Sequence, residues 1–206
     1  MAYSDFDLRK VLTDFGLRDE SGRGLFESVA PLSPSPTLTE WLGEYVSHAV
    51  AVNSEKARSE YIITPIFAEA RRLAGRTFQV MPGVSFDVDK SKGLNGVCDY
   101  LVTKSGTVYY VRGPLVAVAE GKRDNVTDGL GQCAAEMVAI KQFNEREQSP
   151  RPAVYGCVTT GTQWLFLKLE GDSLIVDKTE YYLHDLPKLL GILVHITRDE
   201  SVGAKQ

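Results

Sequence analysis

The sequence has few cysteines and histidines and lacks any long apolar run. Three cysteines and three histidines stand among 206 residues, without a Cys-x-x-Cys or Cys/His cluster of the kind that binds metals. We therefore expect Cys98, Cys133 and Cys157 to be small buried thiols. No apolar run approaches the roughly 20 residues that span a bilayer. The first residues also lack the basic and apolar regions of a signal peptide, so we expect a cytoplasmic protein without membrane contact.

An excess of positive charge is also missing. The chain has 23 basic and 27 acidic residues, and its net charge is −4. Proteins that coat nucleic acid without specificity depend on many Lys and Arg contacts to phosphates, so this class is excluded. An enzyme that grips one phosphodiester needs only a local basic rim, for which Lys90, Lys92, Lys122 and Arg123 are candidates. Nucleic acid therefore stays open as a substrate.

The composition is that of an ordinary globular protein, with 43% hydrophobic and 24% charged residues. The length suits one sizeable hydrophobic core, so we expect a single domain over 1–206. Within it we distinguish an N-terminal helical extension (1–50), a core (54–170) and a C-terminal hairpin and helix (171–198). The polar tail 201–206 is expected to fray.

Apolar spacing predicts helices and strands that build a mixed α/β domain with a central sheet flanked by helices. Helices are predicted at 37–52, with Thr37 or Thr39 as N-cap, and at 54–75, 124–144 and 186–196. Strands are predicted at 78–88, 96–102, 107–111, 114–122, 153–160, 163–169 and 173–183. Pro65 interrupts the second helix and clashes with the carbonyl of Tyr61, so this helix should kink or restart at Thr64 to Pro65. Trp41 and Trp164 are expected in the core.

The strand predicted at 114–122 ends in two charged residues. Its apolar run from Leu115 to Ala119 is uninterrupted, which is typical of a strand covered on both faces. Glu120 and Lys122 are two positions apart, so their side chains leave the same face of the sheet. Charges at the end of a buried strand are costly unless they are paired or hold a ligand. They are therefore either a functional site or an ordinary ion pair at a strand end.

Asp99 interrupts the strand at 96–102 and precedes Glu120 by 21 positions, enough for one antiparallel strand and its turns. We expect the two carboxylates to converge on neighbouring strands. Hard cations such as Mg²⁺ bind carboxylate and carbonyl oxygens and keep several waters, so Asp99, Glu120 and the carbonyl of Gly121 would suffice. Because His and Cys ligands are missing, Mg²⁺ or Mn²⁺ is favoured over Zn²⁺.

This arrangement resembles the PD-(D/E)XK nuclease superfamily, in which a helix bears a Glu, a strand bears an Asp, an apolar strand ends in Glu-x-Lys and the next helix bears a Gln. The matching positions here are Glu60, Asp99, Glu120, Lys122 and Gln132. The segment 159–164 is similar to a Thr-x-Gly-x-x-Trp hairpin in the N-terminal nuclease domain of type I restriction motor subunits. The resemblance covers about 54–166.

The resemblance implies a restriction-endonuclease-like fold and a Mg²⁺- or Mn²⁺-dependent endonuclease that hydrolyses DNA phosphodiester bonds. Asp99, Glu120 and Glu60 would hold the metal, Lys122 would act on the attacking water, and Gln132, on a helix face shared with Glu136, would orient a neighbouring group. The chain departs from the pattern at Cys98, where the family name has Pro. Because Pro65 leaves the direction of Glu60 uncertain, Glu55 or Glu69 stays open as the residue that faces the site.

Two other functions stay open. One is a non-catalytic nucleic-acid-binding or scaffold protein that keeps the nuclease-like fold. The other is a nucleotide-hydrolysing enzyme that uses the same carboxylates, although no P-loop or G-x-G-x-x-G element supports it. The 206 residues contain no helicase segment, so a restriction role would need a separate motor or specificity subunit. The sequence also leaves a homodimer open.

Overall fold

A computed structural model of the chain describes residues 1–198, and the tail predicted to fray lies outside them. The α-helices are α1 (Leu8–Asp14), α2 (Pro36–Val52), α3 (Glu55–Arg58), α4 (Thr64–Leu73), α5 (Leu130–Arg146) and α6 (Leu186–Ile196). The strands are β1 (Arg18–Asp19), β2 (Gln79–Ser85), β3 (Val97–Thr103), β4 (Leu115–Gly121), β5 (Ala153–Thr159), β6 (Gln163–Glu170) and β7 (Ser173–Tyr182). A π-helical turn (Ser59–Ile63) joins α3 to α4, and short 3-10 turns stand at Tyr3–Asp5, Lys90–Lys92, Val126–Gly129 and Leu183–Asp185.

The strands form one seven-stranded mixed sheet in the order β1-β7-β6-β5-β4-β3-β2. β4 pairs with β5, and β1 with β7, in parallel, whereas all other neighbours are antiparallel. The predicted mixed α/β class is therefore confirmed, and so is the hairpin of β5 and β6. Every residue of β4 is buried, as its apolar run predicts.

Two hydrophobic cores lie on the two faces of the sheet. One contains side chains of α2, α4 and α6, together with Trp164. The other contains side chains of α1 and α5, and Cys98 and Cys133 belong to it. All three cysteines are free and buried, as expected. Within the described residues, no helix is both long and apolar enough to cross a membrane.

Some local predictions were wrong. The segment 107–111 is not a strand, because β3 and β4 pair only as far as Thr103 and Leu115 and the residues between them form their connection. Tyr109 in this connection is 93% exposed, so its β-like composition finds no partner strand. Helix α2 begins at Pro36, one residue earlier than predicted, and its N-cap is Ser35 and not Thr37 or Thr39, because the Ser35 hydroxyl accepts a hydrogen bond from the backbone N–H of Leu38.

The predicted interruption at Pro65 is a π-helical turn followed by a new helix that starts at Thr64. Proline has no backbone N–H, so the carbonyl of Tyr61 loses its usual helical donor. The indole Nε1 of Trp41 donates to this carbonyl at 2.9 Å. Trp41 lies at the surface of α2 and is 39% exposed. The prediction that it lies in the core was therefore wrong.

Candidate functional site

Glu120 and Lys122 lie side by side at the end of β4. The carboxylate of Glu120 is 1% exposed, and its Oε2 lies 3.6 Å from the Lys122 Nζ, which is on a side chain 20% exposed. The backbone N–H of Lys122 donates to the carbonyl of Thr159 at 2.8 Å, which ties this end of β4 to β5. The pair therefore shares one face of the sheet, as the two-residue spacing predicts.

The Lys122 side chain packs against Gly129. A Cβ built on Gly129, the residue before α5, would lie 2.9 Å from the Lys122 Cε and 2.6 Å from the Val158 Cγ1. Carbon atoms in contact are normally about 3.5–4.0 Å apart. The side chains of Lys122 and Val158 therefore occupy the space that a side chain at position 129 would need.

Asp99 reaches the same point from β3. Pairing between β3 and β4 ends at Tyr100 and Ala119, so Asp99 and Glu120 stand just beyond the last paired residues. The Asp99 Oδ2 accepts a hydrogen bond from the backbone N–H of Gly121 at 2.8 Å, and the Asp99 N–H faces the Glu120 Oε1 at 3.4 Å. The structure therefore brings the two predicted carboxylates together around the end of β4.

Gln132, in the first turn of α5, connects the acidic residues to the lysine. Its Nε2 donates to the Glu120 Oε2 at 2.7 Å and to the Glu136 Oε1 at 3.2 Å, while its Oε1 accepts from the Lys122 Nζ at 3.1 Å. Glu136 is fully buried, and its Oε2 has no hydrogen-bond partner among the described residues. The sequence assigned no role to Glu136, although its four-residue spacing from Gln132 places it on the same helix face.

Acidic side chains outnumber basic ones in this cluster, since three carboxyl groups lie around one lysine. Burial, and then the charge of Asp99, raise the pKa of Glu120 to about 7. Burial, and then the charge of Glu120, raise the pKa of Glu136 well above the usual range of a glutamate. Ionisation of all three carboxylates at once is therefore disfavoured, and a cation bound among them would favour it.

Two cavities flank the end of β4, and Glu55 lines both of them. One, of about 410 Å³, is also lined by Lys56, Ser59, Pro82, Gly83, Asp99 and Gly121. The other, of about 500 Å³, is also lined by Asn53, Ser54, Lys122, Arg123, Asp124, Asn125 and Asp128. The open space beside Asp99 and Lys122 is thus bordered by the N-terminal end of α3.

The structure does not bring Glu60 to these cavities. Its carboxylate is exposed and pairs with the Lys56 Nζ at 3.0 Å. Glu69 is buried elsewhere, where it pairs with Arg72 at 2.8 Å. Of the three glutamates that the sequence left open, the geometry therefore favours Glu55 as the helix carboxylate beside the site.

The predicted basic rim is only partly present. Lys122 and Arg123 line the larger cavity. Lys90 and Lys92 line neither cavity and instead pair with Asp87 and Asp89, with N–O distances of 3.0 Å and 3.6 Å. The basic side chains that line the two cavities are therefore Lys56, Lys122 and Arg123, of which Lys56 pairs with Glu60 and Arg123 with Asp124.

The donor set fits a hard divalent cation better than a soft one. Within residues 1–198, no group of three or more His, Cys, Asp or Glu side chains is arranged to hold a metal ion. Asp99 and Glu120 with the carbonyl of Gly121 would offer only oxygen ligands, and Mg²⁺ typically keeps several waters besides a few carboxylates.

The sequence was compared with protein-family models and with curated proteins. No protein-family model matches the sequence, and no curated protein is significantly similar to it.

Proposed function

We propose that this chain is a metal-dependent nuclease that hydrolyses DNA phosphodiester bonds, with a restriction-endonuclease-like core around β3, β4 and α5. One observation carries the proposal. Asp99, Glu120 and Lys122 come from two neighbouring strands and meet at the end of a fully buried strand, beside open cavities. Charged groups gathered in this way at a strand end are costly for stability, which favours a functional role.

Each residue has a chemical task in this proposal. Asp99 and Glu120 would hold Mg²⁺ or Mn²⁺, with the carbonyl of Gly121 as a further ligand. A bound divalent ion would polarise the scissile phosphate and lower the pKa of the attacking water. Lys122 would orient that water and offset the negative charge that develops on the phosphoryl oxygens. Gln132 would hold the Lys122 ammonium and the Glu120 carboxylate in place through its hydrogen bonds.

A cleavage assay tests the proposal. Linear, supercoiled and single-stranded DNA are each incubated with the protein and Mg²⁺, Mn²⁺ or EDTA, beside Lys122→Ala and the control Lys178→Ala. Lys178 is a surface lysine on β7 that pairs with Glu27, so the control removes the same charge away from the site. We expect Lys178→Ala to match the wild type and Lys122→Ala to cleave about 100-fold more slowly, the usual scale for loss of a catalytic proton-transfer or charge-stabilising group.

A non-catalytic nucleic-acid-binding or scaffold protein is the second candidate. It is favoured by the state of Glu120, whose carboxylate is 1% exposed and already bonded to Gln132. Metal-independent DNA binding by the wild type, without cleavage of any of the three DNA forms, would favour this candidate. Equal cleavage by the wild type and Lys122→Ala would contradict the nuclease mechanism.

A further inference from the structure

Glu136 has no evident reason to be a glutamate if only folding is considered. It is fully buried in the middle of α5, where its carboxyl group shares a hydrogen bond with that of Glu120 and lies beside the Cys98 thiol. A buried carboxylate without a partnering cation is costly, and an apolar side chain of similar volume is often neutral or stabilising at such a position. Its Oε1 also accepts a hydrogen bond from the Gln132 Nε2 at 3.2 Å.

The side-chain amide of Gln132 can take only one orientation between its neighbours. Its NH₂ group lies between two carboxylates, at 2.7 Å from Glu120 and 3.2 Å from Glu136, and its oxygen faces the ammonium of Lys122 at 3.1 Å. A rotation by half a turn would place the oxygen against two carboxylates and the NH₂ group against the ammonium. Because the Lys122 ammonium can only donate, the flipped form would lose this hydrogen bond, and any ionised carboxylate on the other side would oppose it as well.

The two carboxylates differ in what else they can contact. Glu120 lies at the strand end beside Asp99, whereas Glu136 lies within the helix and is closed off from solvent. If Glu120 turns an oxygen toward a cation, it becomes a poorer acceptor for the Gln132 amide. Glu136 then still holds the amide, so that its oxygen stays on the Lys122 side.

We propose that Glu136 is a positioning residue, which orients the Gln132 amide and thereby places the Lys122 ammonium at the end of β4. The inference rests on the proposed function for its catalytic meaning, but the contact itself exists in the protein without metal. Glu136 is not expected to touch substrate or cation. Its effect passes through Gln132.

Two substitutions separate orientation from charge. Glu136→Gln and Glu136→Leu both remove the ionisable carboxyl group, but only glutamine keeps an oxygen that can accept from Gln132. We expect both variants to fold, since each new side chain has a volume close to that of glutamate and removes a buried ionisable group. Thermal unfolding curves check this before any other measurement.

The first readout needs neither metal nor DNA. The Gln132 side-chain amide is identified in ¹⁵N–¹H NMR spectra by its loss in Gln132→Ala, and its hydrogen exchange is then measured. We expect slow exchange in the wild type and Glu136→Gln and faster exchange in Glu136→Leu. Equal exchange in the two Glu136 variants would overturn the proposal, because the oxygen at position 136 would then make no difference.

The second readout is Mn²⁺ affinity by calorimetry together with the rate of Mg²⁺-dependent DNA cleavage. Loss of a residue that orients a metal or catalytic group typically costs about 10–100-fold. We expect Glu136→Leu to show a loss of this size in affinity or rate, and Glu136→Gln to recover most of it. The double variant Glu136→Leu/Gln132→Ala should be no worse than Gln132→Ala alone, because the two residues act as one unit.

The results distinguish a failure of this inference from a failure of the proposed function. If the wild type neither binds Mn²⁺ nor cleaves DNA, the nuclease proposal is refuted, and the amide exchange alone decides whether Glu136 orients Gln132. Suppose instead that the wild type binds Mn²⁺ and cleaves DNA. Glu136 is then not a positioning residue if the two Glu136 variants behave alike. The same conclusion follows if the effects of Glu136→Leu and Gln132→Ala simply add.

Discussion

The same substitution, glycine to alanine, should have opposite effects at Gly129 and Gly43. At Gly129 a Cβ would lie 2.6 Å from the Val158 Cγ1, so one of the two must move by about 1 Å to reach an ordinary contact. Overpacking of this kind costs about 1–3 kcal/mol, and the backbone entropy that alanine removes from the unfolded state offsets about 0.4–1 kcal/mol of it. We therefore expect Gly129→Ala to lower the free energy of unfolding by about 0.5–2 kcal/mol.

Gly43 is the matched control, because it is exposed in the interior of α2 and a Cβ there would meet nothing within 4 Å. Alanine at this position should raise the free energy of unfolding by about 0.5–1 kcal/mol, which is the helix propensity difference between the two residues. Urea denaturation at pH 7, monitored by circular dichroism, measures both values. Stabilisation of both variants by the same amount would refute the claim that Lys122 and Val158 occupy the space above Gly129.

Two further predictions concern α2 and α4. Trp41→Phe keeps an aromatic ring but removes the donor to the Tyr61 carbonyl, so urea denaturation should show a loss of about 1 kcal/mol; no loss would mean that water replaces the indole. The ion pair with Arg72 lowers the pKa of Glu69, so its stabilisation is present at neutral pH and disappears as the pH falls below about 4.5. Glu69→Gln should therefore unfold more easily than the wild type at pH 7, and the difference should become smaller as the pH falls from 4.5 towards acid; a difference that stays constant would contradict the assignment.

The position of the acidic site followed from the sequence because it depends on short-range rules. A two-residue spacing puts Glu120 and Lys122 on one face whatever the rest of the fold does. An uninterrupted apolar run indicates a strand covered on both faces, and β4 is buried at every position. Asp99 required one more assumption, that β3 and β4 are antiparallel neighbours, and their register shows that they are.

The direction of the helix glutamates could not be read in the same way. In a regular α-helix, residues five apart differ by about 140° around the axis, so Glu55 and Glu60 cannot both face one cavity. The π-helical turn that begins at Ser59 changes this rotation further, and nothing in the residue pattern marks where such a turn starts. The tertiary contact from Trp41 to Tyr61, which joins residues 20 apart, supports the break in the helix.

Gln132 and Glu136 show why the inner side of a site is hard to see in a sequence. Two polar residues one turn apart normally indicate the solvent face of an amphipathic helix. Most of the positions around them in α5 are nevertheless buried, and so is Glu136 itself. A buried polar stripe of this kind becomes understandable only when the opposing strand end is known, because Glu120 and Lys122 supply the charges that the stripe contacts. Two polar residues one turn apart on a helix that is otherwise buried on all sides should therefore be expected to contact the nearest charged strand end and not solvent.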